Sequence, residues 1–216
     1  MTFAFPPSDP VCLPIAGTNL KFPVRRIYCV GRNYADHVKE MGGDIARSEP
    51  VFFTKAAETL VRNGARIPYP PNTADLHYEV ELVTAIGPSG IYAYGVGIDM
   101  TRRDLQSAAK SKGGPWARAK NFSQSAPCSD LTLAENVDLS KAHIVLRKNG
   151  DIVQSGALSQ MIWSVDEIVT HLRADMDLQA GDLIYTGTPA GVGPVIAGDE
   201  LSGGVEGLEP IRVCFT

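Results

Sequence analysis

Glycine (21 residues) and proline (15) are spread along the whole of this 216-residue chain, and that spacing most constrains what it can fold into. Both interrupt helices, glycine through its backbone entropy and proline through its missing N–H and its ring. Between them lie short segments rich in Val, Ile, Leu, Phe and Tyr, at 26–30, 51–54, 78–86, 92–99, 144–148, 183–186 and 211–215. Runs of that length and composition, bounded by turn formers, read as strands. Asn149-Gly150 lies between two such segments and suits a type I′ hairpin, whose central residues both need a positive φ.

Helices are few. Asn33 reads as the cap of a short helix over 34–41, with Gly42 just past its end. Thr101 and Asp104 have capping-box spacing, with Asp in place of the usual Glu or Gln, and predict a helix to about Lys112. Ser164 and Glu167 form a regular box opening a helix to about Arg173. Strands and helices do not alternate regularly, which disfavours a doubly wound parallel sheet. The expectation is a mixed, β-rich α+β fold with a few peripheral helices.

Composition narrows the functional classes. Hydrophobic residues make up 44% and charged residues 20%, ordinary for a soluble domain that buries roughly 70% of its unfolded surface. No run approaches the roughly 20 apolar residues of a membrane span. The first ten residues have neither the basic flank nor the apolar core of a signal peptide, so the expected location is cytoplasmic. Lys plus Arg (20) against Asp plus Glu (24) gives a net charge of −4. With no basic run, neither nucleic acid nor a membrane is an expected partner. Cys12, Cys29, Cys128 and Cys214 form no C-x-x-C pair and read as small buried thiols in a reducing compartment.

Five places in the chain could carry chemistry. In Asp75-Leu76-His77-Tyr78-Glu79-Val80-Glu81-Leu82, strand alternation puts His77, Glu79 and Glu81 on one face and the apolar residues on the other. Neighbouring carboxylates repel. Either that face is solvated or a cation turns the repulsion into chelation, and carboxylates suit Mg²⁺, Mn²⁺ or Ca²⁺. Asp99 ends the next apolar segment, as a turn residue or as a third acid at a strand end, where sites are built. His37 and Glu40 lie three apart on a predicted helix and share a face. They are a surface pair or a general base with its orienting carboxylate. Lys120 sits among small and aromatic residues, either at the surface or pairing with a substrate carboxylate. The Gly-rich stretch 186–193 lacks the ending of a P-loop and opens no helix; it is a turn, or a place where backbone approaches a ligand closely.

Taken together and in order, the motifs resemble the fumarylacetoacetate hydrolase family. They are Tyr28-Cys29-Val30-Gly31-Arg32-Asn33-Tyr34-Ala35-Asp36-His37, Phe52-Phe53-Thr54-Lys55, His77-Tyr78-Glu79-Val80-Glu81-Leu82, Gly97-Ile98-Asp99-Met100-Thr101-Arg102-Arg103-Asp104-Leu105-Gln106, Ala119-Lys120-Asn121-Phe122, and the run from Thr186 to Gly193. The likeness runs from about residue 24 to the end, with 1–23 expected as an N-terminal arm and 24–216 as the catalytic domain. It is nearest to the short members that cleave acylpyruvates.

The resemblance implies a mixed β-roll and a divalent metal, Mg²⁺ or Mn²⁺, on Glu79, Glu81 and Asp99. It implies a catalytic set of His37, Glu40 and Lys120. Arg32, Lys55, Arg103, Gln106 and Thr188 fall at positions near the substrate. The implied reaction is hydrolysis of a 2,4-dioxo acid such as fumarylpyruvate to pyruvate and a carboxylic acid, by a homodimer. Oxaloacetate decarboxylation and isomerisation of a related oxo acid are alternatives within the family; binding of a metal or dicarboxylate without turnover is an alternative outside enzymology. Relatives join the two acid-bearing strands by a longer connection than Ile86-Gly87-Pro88-Ser89-Gly90-Ile91-Tyr92 provides. An interruption between Gly90 and Ile91 is therefore expected, in preference to a genuine deletion.

Overall fold

The structure, a computed structural model, describes residues 2–40, 42 and 49–216. Among these, strands dominate and are organised in two main sheets. The larger has the order Val51–Lys55, Arg26–Gly31, Asp182–Tyr185, Val80–Gly87, Gly90–Ile98, Ala126–Cys128, Leu60–Arg62, with Thr132–Leu133 also paired to Gly90–Ile98. The second runs Asp151–Ala157, His143–Lys148, Glu200–Val205, Ile211–Phe215, Arg66–Ile67. Most pairings are antiparallel, but Arg26–Gly31 with Asp182–Tyr185, Leu60–Arg62 with Ala126–Cys128, and Arg66–Ile67 with Ile211–Phe215 are parallel. The result is a mixed β-roll.

The Val80–Gly87 strand lies at the centre and is buried along its whole length. Val80, Leu82, Val96 and Ile98 pack with Ile144, Leu146, Leu201 and Val213 of the second sheet. Val83, Ala85, Ala93 and Tyr185 pack with Leu13, Ile15 and Phe22, around the hairpin Cys12–Pro14/Lys21–Pro23. The helix Val165–Asp175 covers a third patch through Ile168, Val169 and Leu172. A strand buried on both faces leaves no solvated side for Glu81, so the reading of a hydrated acidic face is overturned. Burying a carboxylate without partners is costly.

Several local expectations hold. Ser164 and Glu167 make the capping box, and Asn149 and Gly150 adopt φ of 53° and 96° between paired strands. Others are corrected by competition for the same polar groups. The Asn33 side chain does not cap the helix Ala35–Glu40. It donates to the Trp163 and Thr186 carbonyls at 2.9 and 2.7 Å and accepts from Trp163 N–H at 2.7 Å. Gly42 closes the other end with φ 71° and a bond to Lys39 O at 2.9 Å, whereas Met41 lies outside the described residues. The Thr101–Asp104 box is absent. Thr101 stands in the short strand Thr101–Arg102 and accepts from Lys120, and Asp104 instead holds Thr73 and the Ala74 N–H. The helix consequently spans Arg103–Ser111.

The expected strand over 78–86 is two strands meeting at Glu79. Leu76–Tyr78 pairs with Thr101–Arg102 and Gly193–Val195 in a small separate sheet, and Val80–Gly87 enters the large one. Gln154 Oε1 accepts the Val80 N–H at 3.0 Å at that change of sheet. The connection to the next strand is two residues, Pro88-Ser89. Gly87 faces Gly90 and Ile86 faces Ile91 within the ladder, so the expected interruption at Gly90–Ile91 is not found. A Cβ on Gly87 would lie 2.8 Å from Tyr92 Cβ, which is why glycine stands where this hairpin closes. The four cysteines are free thiols; Cys29 and Cys128 are buried as expected, whereas Cys12 and Cys214 are only half-buried.

Candidate active site

Strand register assembles the acids. Val80 faces Ile98 in the antiparallel ladder, so Asp99, just past the strand end, lies across from Glu79 and donates its N–H to the Glu79 carbonyl at 2.8 Å. Glu81 faces Gly97, where a Cβ would fall 2.4 Å from the Tyr185 ring. One carboxylate oxygen from each of Glu79, Glu81 and Asp99 lies within 4.8 Å of the others, and all three residues are buried.

Three cations answer these acids unequally. Lys120 Nζ donates to Glu79 Oε2 and Asp99 Oδ2, both at 2.7 Å, and to Thr101 Oγ1 at 2.6 Å. Arg103 Nη2 pairs closely with Glu79 Oε1, and its Nη1 donates to Gln106 Oε1 at 2.5 Å. Burial works against the Glu79 charge, but Lys120 and Arg103 outweigh it and hold the carboxyl well below the usual range. Burial likewise opposes the Lys120 charge, and Asp99 with Glu79 holds that ammonium above its usual range. Lys55 is buried under the site, 2.8 Å from Asp99 Oδ1, and donates to Met100 O, Lys120 O and Ser125 Oγ.

Two of the acids are incompletely satisfied. Asp99 Oδ1 is buried and accepts no hydrogen bond, with the Lys55 ammonium as its ion-pair partner. Glu81 has no basic partner among the described residues and accepts only the Gly187 N–H, at 2.8 Å. Burial, then Asp99 and Glu79, push its carboxyl pKa well up. A cation among the three carboxylates would relieve both, and an all-oxygen donor set suits a hard divalent ion.

The helix Ala35–Glu40 brings the second constellation to the same cleft. His37 is buried, and its Nδ1 lies 3.3 Å from Glu40 Oε2. An ionised carboxylate only accepts, so Nδ1 carries the proton and Nε2 is left as the basic nitrogen. Burial lowers the His37 pKa, partly countered by Glu79 and Glu40, which keeps the ring neutral. Gly191 N–H holds both Glu40 oxygens, at 3.0 and 3.1 Å. The Gly-rich stretch therefore grips Glu81 and Glu40, which have no lysine or arginine partner among the described residues, through Gly187 and Gly191. Both have a positive φ, and a Cβ would clash with Asn33 at the first and with Val153 O at the second.

Of the residues singled out in the sequence, Arg32, His37, Glu79, Glu81, Arg103, Gln106, Lys120 and Thr188 line one cleft. Asp99 and Lys55 lie beneath it and Glu40 behind His37. Gln154 was not foreseen. It is buried and ties Val80 N–H, Thr188 Oγ1 and Pro189 O together, and nothing in its local sequence marks it. Lys110, Trp116 and Phe53 also line the cleft. Lys110 was legible as the next residue of the helical stripe Arg103, Gln106, Lys110.

Residues 26–216 match the family model described as fumarylacetoacetate (FAA) hydrolase, C-terminal. The chain belongs to this family. It is 44% identical over 186 residues to the fumarylpyruvate hydrolase of a Ralstonia species, covering 80% of this chain and 97% of that protein. It is 40% identical over 196 residues to the human mitochondrial oxaloacetate tautomerase FAHD1, covering 85% and 88%. The crystal structure of fumarylpyruvate hydrolase from Pseudomonas aeruginosa, in complex with Mn²⁺ and pyruvate, superposes with a TM-score of 0.96 at 42% identity, covering 100% of this chain and 99% of that one. The Mn²⁺ of that relative and the acid triad here support a divalent metal in this family member. Among the described residues, no helix is long and apolar enough to cross a membrane.

Proposed function

We propose that this family member hydrolyses 2,4-dioxo acids of the acylpyruvate type, such as fumarylpyruvate, to pyruvate and the carboxylic acid of the acyl group. The observation that carries the reading is the opening of a buried three-carboxylate cluster and a His–Glu pair onto one cleft. Glu79, Glu81 and Asp99 would hold Mg²⁺ or Mn²⁺, which as a Lewis acid would polarise the oxo acid. His37 Nε2 accepts a proton from a water, and Glu40 steadies the imidazolium that forms. The water oxygen bonds to C4, the C3–C4 bond breaks, and its electron pair passes to C3 as the enolate of pyruvate. Lys120 and Arg103 place positive charge where that enolate develops, and fixed charge of this kind is often the largest catalytic contribution. Return of a proton to C3 completes pyruvate.

A second reading, decarboxylation or tautomerisation of oxaloacetate, is favoured by the identity to the oxaloacetate tautomerase. It needs no activated water, so the His37–Glu40 pair favours hydrolysis. A small oxo acid is the partner this reading requires, and a homodimer is carried with it. The test follows the near-ultraviolet absorbance of the enolised substrates fumarylpyruvate and acetylpyruvate, with oxaloacetate alongside, each with and without Mg²⁺. Metal-dependent loss of an acylpyruvate is the expected outcome. Turnover of oxaloacetate alone would transfer the assignment to the second reading.

A further inference from the structure

Outside the acid cluster, the mouth of the cleft carries positive charge that the hydrolysis does not use. Arg32 and Lys110 both line it. Among the described residues, neither is paired with a carboxylate. Lys110 lies on the helix Arg103–Ser111, seven residues beyond Arg103 and on the same face. Its Nζ stands 5.2 Å from the centre of the Trp116 ring, which supplies weak cation–π attraction but no countercharge. Burial lowers the Lys110 pKa, and the charges of Arg103 and Arg32 lower it further, with Glu79 only partly countering them, so like charges crowd here. Arg32 is held with φ at 62°, the left-handed region that non-glycine residues avoid, directly after the strand Arg26–Gly31. Phe53 and Trp116 form the apolar wall, with ring centroids 6.0 Å apart.

We propose that this mouth is a second anion subsite, where Arg32 and Lys110 receive a carboxylate at the far end of the acyl group while Trp116 and Phe53 flank its planar chain. The substrate class narrows to acylpyruvates that carry two carboxylates. The cluster at the base takes the oxo-acid end and the mouth takes the other. An anion between Arg32 and Lys110 would relieve their mutual repulsion, and charge-assisted hydrogen bonds of this kind contribute about tenfold or more in affinity. The proposal rests on the acylpyruvate reading of the site.

Steady-state kinetics on the Mg²⁺-loaded protein would compare fumarylpyruvate, with two carboxylates, and acetylpyruvate, with one. In Lys110→Gln and Arg32→Gln, kcat/KM should fall about ten times further on fumarylpyruvate than on acetylpyruvate, chiefly through KM. Equal losses on both substrates, or no loss on fumarylpyruvate, would overturn the subsite. If the unaltered protein turned over neither substrate, the acylpyruvate reading would fail by itself, and calorimetry would then judge the subsite. Fumarate should bind more tightly than crotonate, which has a methyl group in place of one carboxylate, and Lys110→Gln should erase the difference. An equal affinity for the two acids in the unaltered protein would refute it.

Discussion

At the scale of single residues, the site works by contrast between neighbours. Glu79 and Glu81 are two apart, yet one carboxyl is held far down by Lys120 and Arg103 and the other is pushed up by burial and by its fellow acids. His37 is a third case, a buried imidazole whose pKa is lowered while Glu79 and Glu40 work to raise it. The proposed base must be neutral, so kcat/KM for the acylpyruvate should stay level as pH falls through the ordinary imidazole range and decline only below it. Glu40→Gln removes a carboxylate that raises the His37 pKa, so the acid limb should move to still lower pH while kcat falls. A limb that stays in place would show that Glu40 does not act through His37. His37→Ala should cost about 10²- to 10⁴-fold in hydrolysis and spare more of any oxaloacetate decarboxylation. Equal loss of both activities, read by pyruvate production, would mean that His37 serves the enolate and not the water.

At the scale of elements, what was legible depended on whether a residue's chemistry was local. The Ser164–Glu167 box and the Asn149-Gly150 turn use only neighbours in sequence, and both form as read. Asn33 and Thr101 have equally good local signals, but distant groups take their polar atoms: the Trp163 backbone in one case and the Lys120 ammonium in the other. The alternation of 76–82 put Glu79 and Glu81 together correctly, but it could not reveal a chain changing sheets at Glu79, because the pairing partners lie at 101–102 and 193–195. Gln154 was invisible for the same reason. The Gly-rich stretch was half legible: its glycines do permit close approach, but to Glu81 and Glu40. Gly191→Ala tests this. Its Cβ would stand 2.2 Å from Val153 O, a backbone atom with little freedom to move, at a φ of 97°. Strain at such positions is of order 1–3 kcal/mol, which corresponds to a fall of roughly 2–12 °C in Tm for a chain of this size. With the Glu40 anchor displaced, hydrolysis should drop by more than that loss of stability explains. Thermal unfolding beside activity at 25 °C measures both, and full activity in a destabilised variant would remove Gly191 from the positioning of Glu40.

At the scale of the whole molecule, the acid cluster sits where the central strand, its hairpin partner and the small sheet meet, so its electrostatics bear on global stability. Three buried carboxylates repel one another, and Glu81 is the one without a basic partner among the described residues. A divalent ion that binds only the folded state stabilises it by about 2.7 kcal/mol at a hundred times its Kd, or roughly 5–10 °C in Tm. Mg²⁺ or Mn²⁺ added to chelator-treated protein should therefore raise Tm in a saturable way. Glu81→Gln separates this from a general salt effect. The amide keeps the shape and can accept the Gly187 N–H, but it cannot ionise, so it is free of the cost that burial, Asp99 and Glu79 place on a charge there. In the absence of metal, the variant should melt at or above the temperature of the unaltered protein, and it should lose most of its response to Mg²⁺. A metal response that survived Glu81→Gln undiminished would place the ion away from these three acids. A variant much less stable than the metal-free parent would show instead that Glu81 is needed for packing and that its charge costs the fold little.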